Sequence, residues 1–154
     1  MSGTNVAQLS FHSPIGDLTV TEVDNHIVSL DWGWAAENKE TALLREAHRW
    51  LNEYFDGHCP TMTLPLTPPG TDFQQKVWKA ITDIPMGQTQ SYQQLAQKLG
   101  SHPRAIGAAC GRNPIPLLIP CHRVVAKDGK LTGYSGEGGV ETKVFLLNLE
   151  KTLT

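Results

Sequence analysis

Ser91-Tyr92-Gln93-Gln94-Leu95-Ala96-Gln97-Lys98-Leu99-Gly100-Ser101-His102-Pro103-Arg104-Ala105-Ile106-Gly107-Ala108-Ala109-Cys110-Gly111 is the stretch on which the fold turns. Ser91 followed three residues later by Gln94 has the form of a capping box. Leu95, Ala96 and Leu99 give the helix it opens an apolar face, and Gly100 ends it. After a very short break, Pro103 suits the first position of a second helix, running through Arg104, Ile106, Ala109 and Cys110 to Gly111. Two helices joined by a few residues including glycine make a helix-turn-helix candidate. The pattern alone is not specific, because many helical hairpins bind nothing.

The next segment is Ile115-Pro116-Leu117-Leu118-Ile119-Pro120-Cys121-His122-Arg123-Val124-Val125, an apolar run bracketed by prolines with a thiol, an imidazole and a guanidinium at its centre. Leu117 to Ile119 predict a short buried stretch that Pro120 interrupts, so Cys121 emerges where buried backbone meets a cavity. A thiol is a useful nucleophile only as thiolate, and His122 and Arg123 are placed to lower its pKa from the free value of about 8.5. A buried, inert cysteine fits the same residues.

Upstream, Thr71-Asp72-Phe73-Gln74 is another capping box, opening a helix with Phe73, Val77, Trp78 and Ile81 inward and Asp83-Ile84-Pro85-Met86-Gly87 at its end. Cys59 to Gly70 holds four prolines and no charge, and reads as an extended linker marking the boundary between a lobe of residues 1–70 and one of residues 71–154. Between Thr41 and Phe55 apolar residues recur at helical intervals, with Gly57 as terminator. From Phe11 to Asp31 they nearly alternate, broken at Ser13-Pro14-Ile15-Gly16 and Asp24-Asn25, which predicts a hairpin covered by the helix.

Downstream, Gly133-Tyr134-Ser135-Gly136-Glu137-Gly138-Gly139 lacks the strand, helix and spacing of a dinucleotide fingerprint and reads as a loop whose backbone approaches something closely. Glu141 to Leu149 predict a closing amphipathic helix with Val144, Leu147 and, on a broad face, Phe145 and Leu146 inward, and Glu150 at its end.

The 154 residues include 13 basic and 15 acidic side chains, unevenly placed: residues 1–70 carry −6 and residues 71–154 carry +4. Positive potential therefore lies on the half that holds Cys121. The start of the chain lacks the basic and apolar blocks of a signal peptide, and no apolar run is long enough to span a membrane. Cys59, Cys110 and Cys121 are an odd number without paired spacing, which fits free thiols in the cytoplasm.

Taken in order, Phe73-Gln74, Val77-Trp78, Ile84-Pro85, Thr89, Ser91-Tyr92, Arg104-Ala105-Ile106-Gly107, Asn113-Pro114, Pro120-Cys121-His122-Arg123-Val124 and Gly133-Tyr134 resemble the O6-alkylguanine-DNA alkyltransferases. Proteins of that family move an alkyl group from damaged guanine onto their own cysteine. The match runs from about Phe73 to Glu150, and the first lobe also looks like the family's N-terminal domain. The resemblance implies an α+β chain, with a small antiparallel sheet and covering helix joined to a mainly helical, winged-helix-like domain.

It further implies that Cys121 is the alkyl acceptor, His122 the base acting through a water, and Glu150 the partner that orients His122. Tyr92 matches the tyrosine that helps rotate the nucleotide out, and Arg104 the residue that fills the gap it leaves. Val124, Tyr134 and Ser135 match the base pocket, Asn113 ties the segment before Cys121, and Arg123 is structural and electrostatic. The expected partner is double-stranded DNA containing alkylated guanine, met by a monomer without an obligate protein partner or cofactor. The loop before Arg104 is a couple of residues shorter than is usual in the family, and the one after Tyr134 is longer. No metal site is expected, since His12, His26, His48, His58 and Cys59 lack ligand-like spacing. A family branch without the cysteine binds damage but does not repair it, and a cysteine hydrolase is the other rival reading; Cys121 opposes the first, and the adjacency of Cys121 and His122 is unlike the second.

Overall fold

The computed structural model describes residues 5–127 and 139–151. The chain divides into two compact units, Met1–Pro69 and Gly70–Thr154. In the first, strands β1 (Val6–Phe11), β2 (Leu18–Val23) and β3 (His26–Trp32) form an antiparallel sheet with β2 central. The sheet thus begins before Phe11, a strand earlier than the alternation predicts. Asp24 and Asn25, both at positive φ, make the two-residue turn between β2 and β3, as short polar side chains that tolerate this region allow. Helix α1 (Ala42–Phe55) is capped by Thr41, whose hydroxyl accepts from Leu44 N and donates to the buried Glu22 of β2. Its Leu44, Ala47, Leu51 and Tyr54 are buried, as are Leu18, Val20, Ile27 and Leu30 of the sheet, each large aliphatic being worth about 1.5–3 kcal/mol.

The proline-rich segment is more than a linker. Ile27 N donates to Pro65 O and Thr67 N to Ile27 O, so Leu66 forms a parallel bridge on the free edge of β3. That contact occupies an otherwise unpaired strand edge.

The second unit holds α2 (Asp72–Thr82), β4 (Gln90–Ser91), α3 (Tyr92–Leu99), α4 (Pro103–Gly111), a 3₁₀ turn at Cys121–Arg123, β5 (Val124–Val125) and α5 (Val140–Lys151). Both capping boxes form, at Thr71 with Gln74 and at Ser91 with Gln94. Gly100 closes α3 at φ 66°, a left-handed position that glycine adopts without penalty. Trp78 donates from Nε1 to Ala109 O, pinning α2 to α4, and a side chain at Gly70 would collide with the Trp78 ring. Pairing of Gln90 with Val124 and Ser91 with Val125 sets the start of α3 beside the segment that follows Cys121.

Helix α5 departs from its predicted face. Val144 and Phe145 are exposed, while the buried side is Thr142, Lys143, Leu146 and Glu150. An apolar-inward reading fails here because the buried charges have partners in the unit, which replace the water they give up. The helix also extends to Lys151, so Glu150 lies inside its last turn.

Candidate active site

Asn113 prepares the approach to Cys121. Its Nδ2 donates to Ile119 O and its Oδ1 accepts from Ile115 N, both at 2.9 Å, folding Ile115–Ile119 into a buried loop. Within that loop Leu117 sits at φ 75°, a left-handed conformation uncommon for a non-glycine residue and held by its surroundings. Pro120 then leads into the 3₁₀ turn, and Cys121, His122 and Arg123 are all buried.

The turn delivers two side chains to Glu150. His122 Nε2 donates to Glu150 Oε2 at 2.5 Å. Arg123 donates from Nε to Oε1 at 2.8 Å and from Nη2 to Oε2 at 3.1 Å, while its Nη1 reaches Ile84 O at 2.7 Å. Glu150 is 1% exposed, so burial by itself pushes its carboxyl up; the hydrogen bonds from His122 and Arg123, with the Arg123 charge, outweigh that and hold it low, at about 2. Burial pushes fully buried His122 below its ordinary value, against the pull of Glu150. The couple is therefore a carboxylate and a neutral imidazole carrying its proton on Nε2. His122 Nδ1 is left as a buried acceptor without a hydrogen-bond partner among the described residues. An unmatched buried polar atom is costly and uncommon, and in this tautomer it is a lone pair ready to take a proton.

Lys143 is a residue that sequence reasoning missed. Only 1% exposed, it donates from Nζ to Val124 O at 2.7 Å and lies 5.8 Å from the centre of the Tyr92 ring. Burial lowers its pKa, and the thiols of Cys121 and Cys110 act on it in the opposite direction. A lysine in a helix is expected in solvent, and nothing in the spacing of the residues around it marked this one for burial. Burial also pushes the Cys110 thiol up to about 12, which keeps it protonated and leaves it a poor nucleophile.

Tyr92, half-buried, opens α3, with its ring in reach of Gly107 on α4. Arg104 is exposed at the second position of α4. Val124 is fully buried and follows the turn. These residues put Tyr92, Lys143 and the Cys121 turn together, and leave Arg104 on the outer side of the helix pair. Tyr134, Ser135 and the glycine-rich loop as a whole up to Gly138 lie outside the described residues. No group of three or more potential metal ligands occurs among the described residues, and no helix among them is long and apolar enough to cross a membrane.

Two family models match the chain: residues 72–152 fit the 6-O-methylguanine DNA methyltransferase DNA binding domain, and residues 8–68 the ribonuclease-like domain of the same family. The constitutive methylated-DNA–protein-cysteine methyltransferase of Bacillus subtilis is 44% identical over 152 residues, covering 90% of this chain and 92% of the relative. A Methanosarcina barkeri protein of the same name is 48% identical over 126 residues, 80% of this chain and 75% of its own. Among solved structures, Mycobacterium tuberculosis OGT in complex with DNA superposes with a TM-score of 0.85 at 39% identity, covering 96% of this chain and 94% of its own. With both units matched, and in the same order, the chain belongs to the 6-O-methylguanine DNA methyltransferase family.

Proposed function

We propose that the chain repairs DNA by moving the alkyl group of O6-alkylguanine onto Cys121 Sγ, once per molecule. The observation that carries this reading is the buried His122–Glu150 couple, whose remaining nitrogen is an open acceptor on the residue next to the thiol. A water bridging Nδ1 and Sγ passes the thiol proton to His122, and the carboxylate of Glu150 balances the imidazolium that forms. The thiolate attacks the saturated carbon; the S–C bond forms, the C–O6 bond breaks, and its electron pair leaves with the base. The proton taken up by His122 balances the one the base needs to become guanine. Lys143 adds a buried positive charge to the surroundings in which the thiolate develops.

The base is buried in a duplex, so the nucleotide is extruded first. Tyr92 rotates it out and Arg104 fills the gap, and the resemblance assigns Val124, Tyr134 and Ser135 to the pocket that receives it. The partner is double-stranded DNA carrying alkylated guanine, bound by a monomer in the cytoplasm without a cofactor. Asn113 and Arg123 hold the site's shape.

DNA carrying isotopically labelled O6-methylguanine tests the assignment. After incubation and digestion, the label is expected on the peptide containing Cys121. The Cys121→Ser variant takes up none and still binds DNA, because a hydroxyl is a far weaker nucleophile toward saturated carbon. Label on Cys59 or Cys110, or undiminished transfer by the serine variant, overturns the assignment.

A further inference from the structure

Cys110 is a buried group close to the acceptor thiol that the reaction does not use. Backbone hydrogen bonds place it there. Asn113 N donates to Cys110 O at 3.2 Å, the Asn113 side chain donates to Ile119 O, and Cys121 N donates to that same oxygen at 2.8 Å. One asparagine thus joins the last turn of α4 to the turn that carries Cys121. Cys110 also lies three residues beyond Gly107, on the face of α4 where a side chain at Gly107 would meet the Tyr92 ring at 4.0 Å. The two thiols and the Lys143 ammonium act on one another electrostatically, as groups held close together in a buried space do. Cys110 is 7% exposed and Cys121 4%, so a substituent on Cys121 Sγ meets packed side chains rather than open solvent.

We propose that Cys110 is a specificity-determining residue, whose bulk limits the size of the alkyl group that reaches Cys121. The inference rests on the reading of Cys121 as acceptor given above. A methyl group ends at the carbon that the thiolate attacks. A benzyl group carries a ring beyond that carbon, and once the S–C bond forms the ring has to lie against whatever borders Sγ. Burial keeps the Cys110 thiol protonated, so it meets the incoming group as a small, uncharged and polarisable surface. Interiors are close-packed, and each methylene added at position 110 takes up space that its neighbours do not give back. A larger residue there therefore penalises benzyl transfer more than methyl transfer. A residue of equal size does not.

The test measures single-turnover rates on the free bases O6-methylguanine and O6-benzylguanine, which removes DNA binding, for the native protein, Cys110→Ser, Cys110→Val and Cys110→Leu. The quantity read is the benzyl rate divided by the methyl rate, in which a general loss through weakened folding cancels. Cys110→Ser, close to cysteine in size, is expected to keep the ratio within about twofold of the native one. Cys110→Leu is expected to lower it about tenfold, the cost of excess methylenes in a tight apolar site, with Cys110→Val between. If the leucine variant does not fold, the valine variant decides. A ratio within about twofold of the native one for the folded larger variants overturns the proposal. So does a serine ratio as low as the leucine one, because it would make the thiol, and not its size, the determinant. The alkylated peptide is identified in each reaction; a group found away from Cys121 in the native protein removes the reading of Cys121 as acceptor instead.

Discussion

Both units bury polar side chains, and they do so to different ends. In the first, Ser10 and Thr19 share a hydrogen bond of 2.8 Å, Ser10 Oγ also accepts from Ala35 N, Thr19 Oγ1 donates to Gly33 O, and Gln8 Nε2 donates to Thr21 Oγ1. These bonds close the loop after β3 over the sheet face away from α1. In the second unit, the buried network of His122, Arg123 and Glu150 is charged, and it ends on an acceptor that has no donor among the described residues. The lesson lies in that difference. A polar cluster that is fully matched locks a fold, whereas one left with a single open lone pair keeps a place for a reactant.

The comparison breaks most visibly if the charged network proves to be only structural. Glu150→Gln and His122→Ala are expected to slow alkyl transfer by about 10²–10⁴-fold, the usual worth of a general base and its support. Single-turnover rates on the free base measure this without the complication of DNA binding. Rates within a few-fold of the native protein, for folded variants, would place the chemistry elsewhere.

Acid stability gives an effect of intermediate size. Glu150 has a folded pKa of about 2, below that of an unfolded glutamate, so its contribution is complete above the unfolded value and is lost as pH falls toward 2. The contribution is on the order of 3 kcal/mol. The lowered pKa of His122 acts on the same side, because the unfolded chain takes up the proton first, so stability begins to fall below the ordinary histidine range. Denaturant titrations at stepped pH should show this decline, and Glu150→Gln should remove its lower part. A stability profile flat between pH 7 and 4 would contradict the charge states assigned to the couple.

The matched cluster supplies the smallest effect. Ser10→Ala is expected to cost about 1 kcal/mol of stability, through lost hydrogen bonds to Thr19 and Ala35, and to leave alkyl transfer on the free base at the native rate. Chemical denaturation and the single-turnover assay measure the two halves. A slowed reaction would show that the first unit contributes to the chemistry.

Where the signals are local, the sequence was enough. Both capping boxes, Pro103 at the start of α4 and Gly100 at the end of α3 follow from the chemistry of neighbouring residues, so the helix pair could be read directly. The thiol, imidazole and guanidinium at Cys121–Arg123 stood out on their own chemistry, whereas the resemblance assigned their roles and brought in Glu150, which no spacing rule connects to them. Hidden features depend on distant partners. The bridge at Leu66 needs the edge of β3, and the inward face of α5 needs Val124 O and the turn at His122, because without those partners Lys143 and Glu150 belong in water. Leu117 at positive φ likewise reflects the hold of Asn113 on the loop around it.

The central claim is that Cys121 is consumed. A thioether has no carbonyl for water to attack and cannot exchange as a disulfide does, so nothing in the chain returns the thiol. Alkylated duplex supplied in about tenfold excess over protein, with repaired guanine counted against time, tests this directly. The account predicts a burst of one equivalent per molecule and then no further product. Continued repair beyond one equivalent would mean that the thiol is regenerated, contradicting the mechanism.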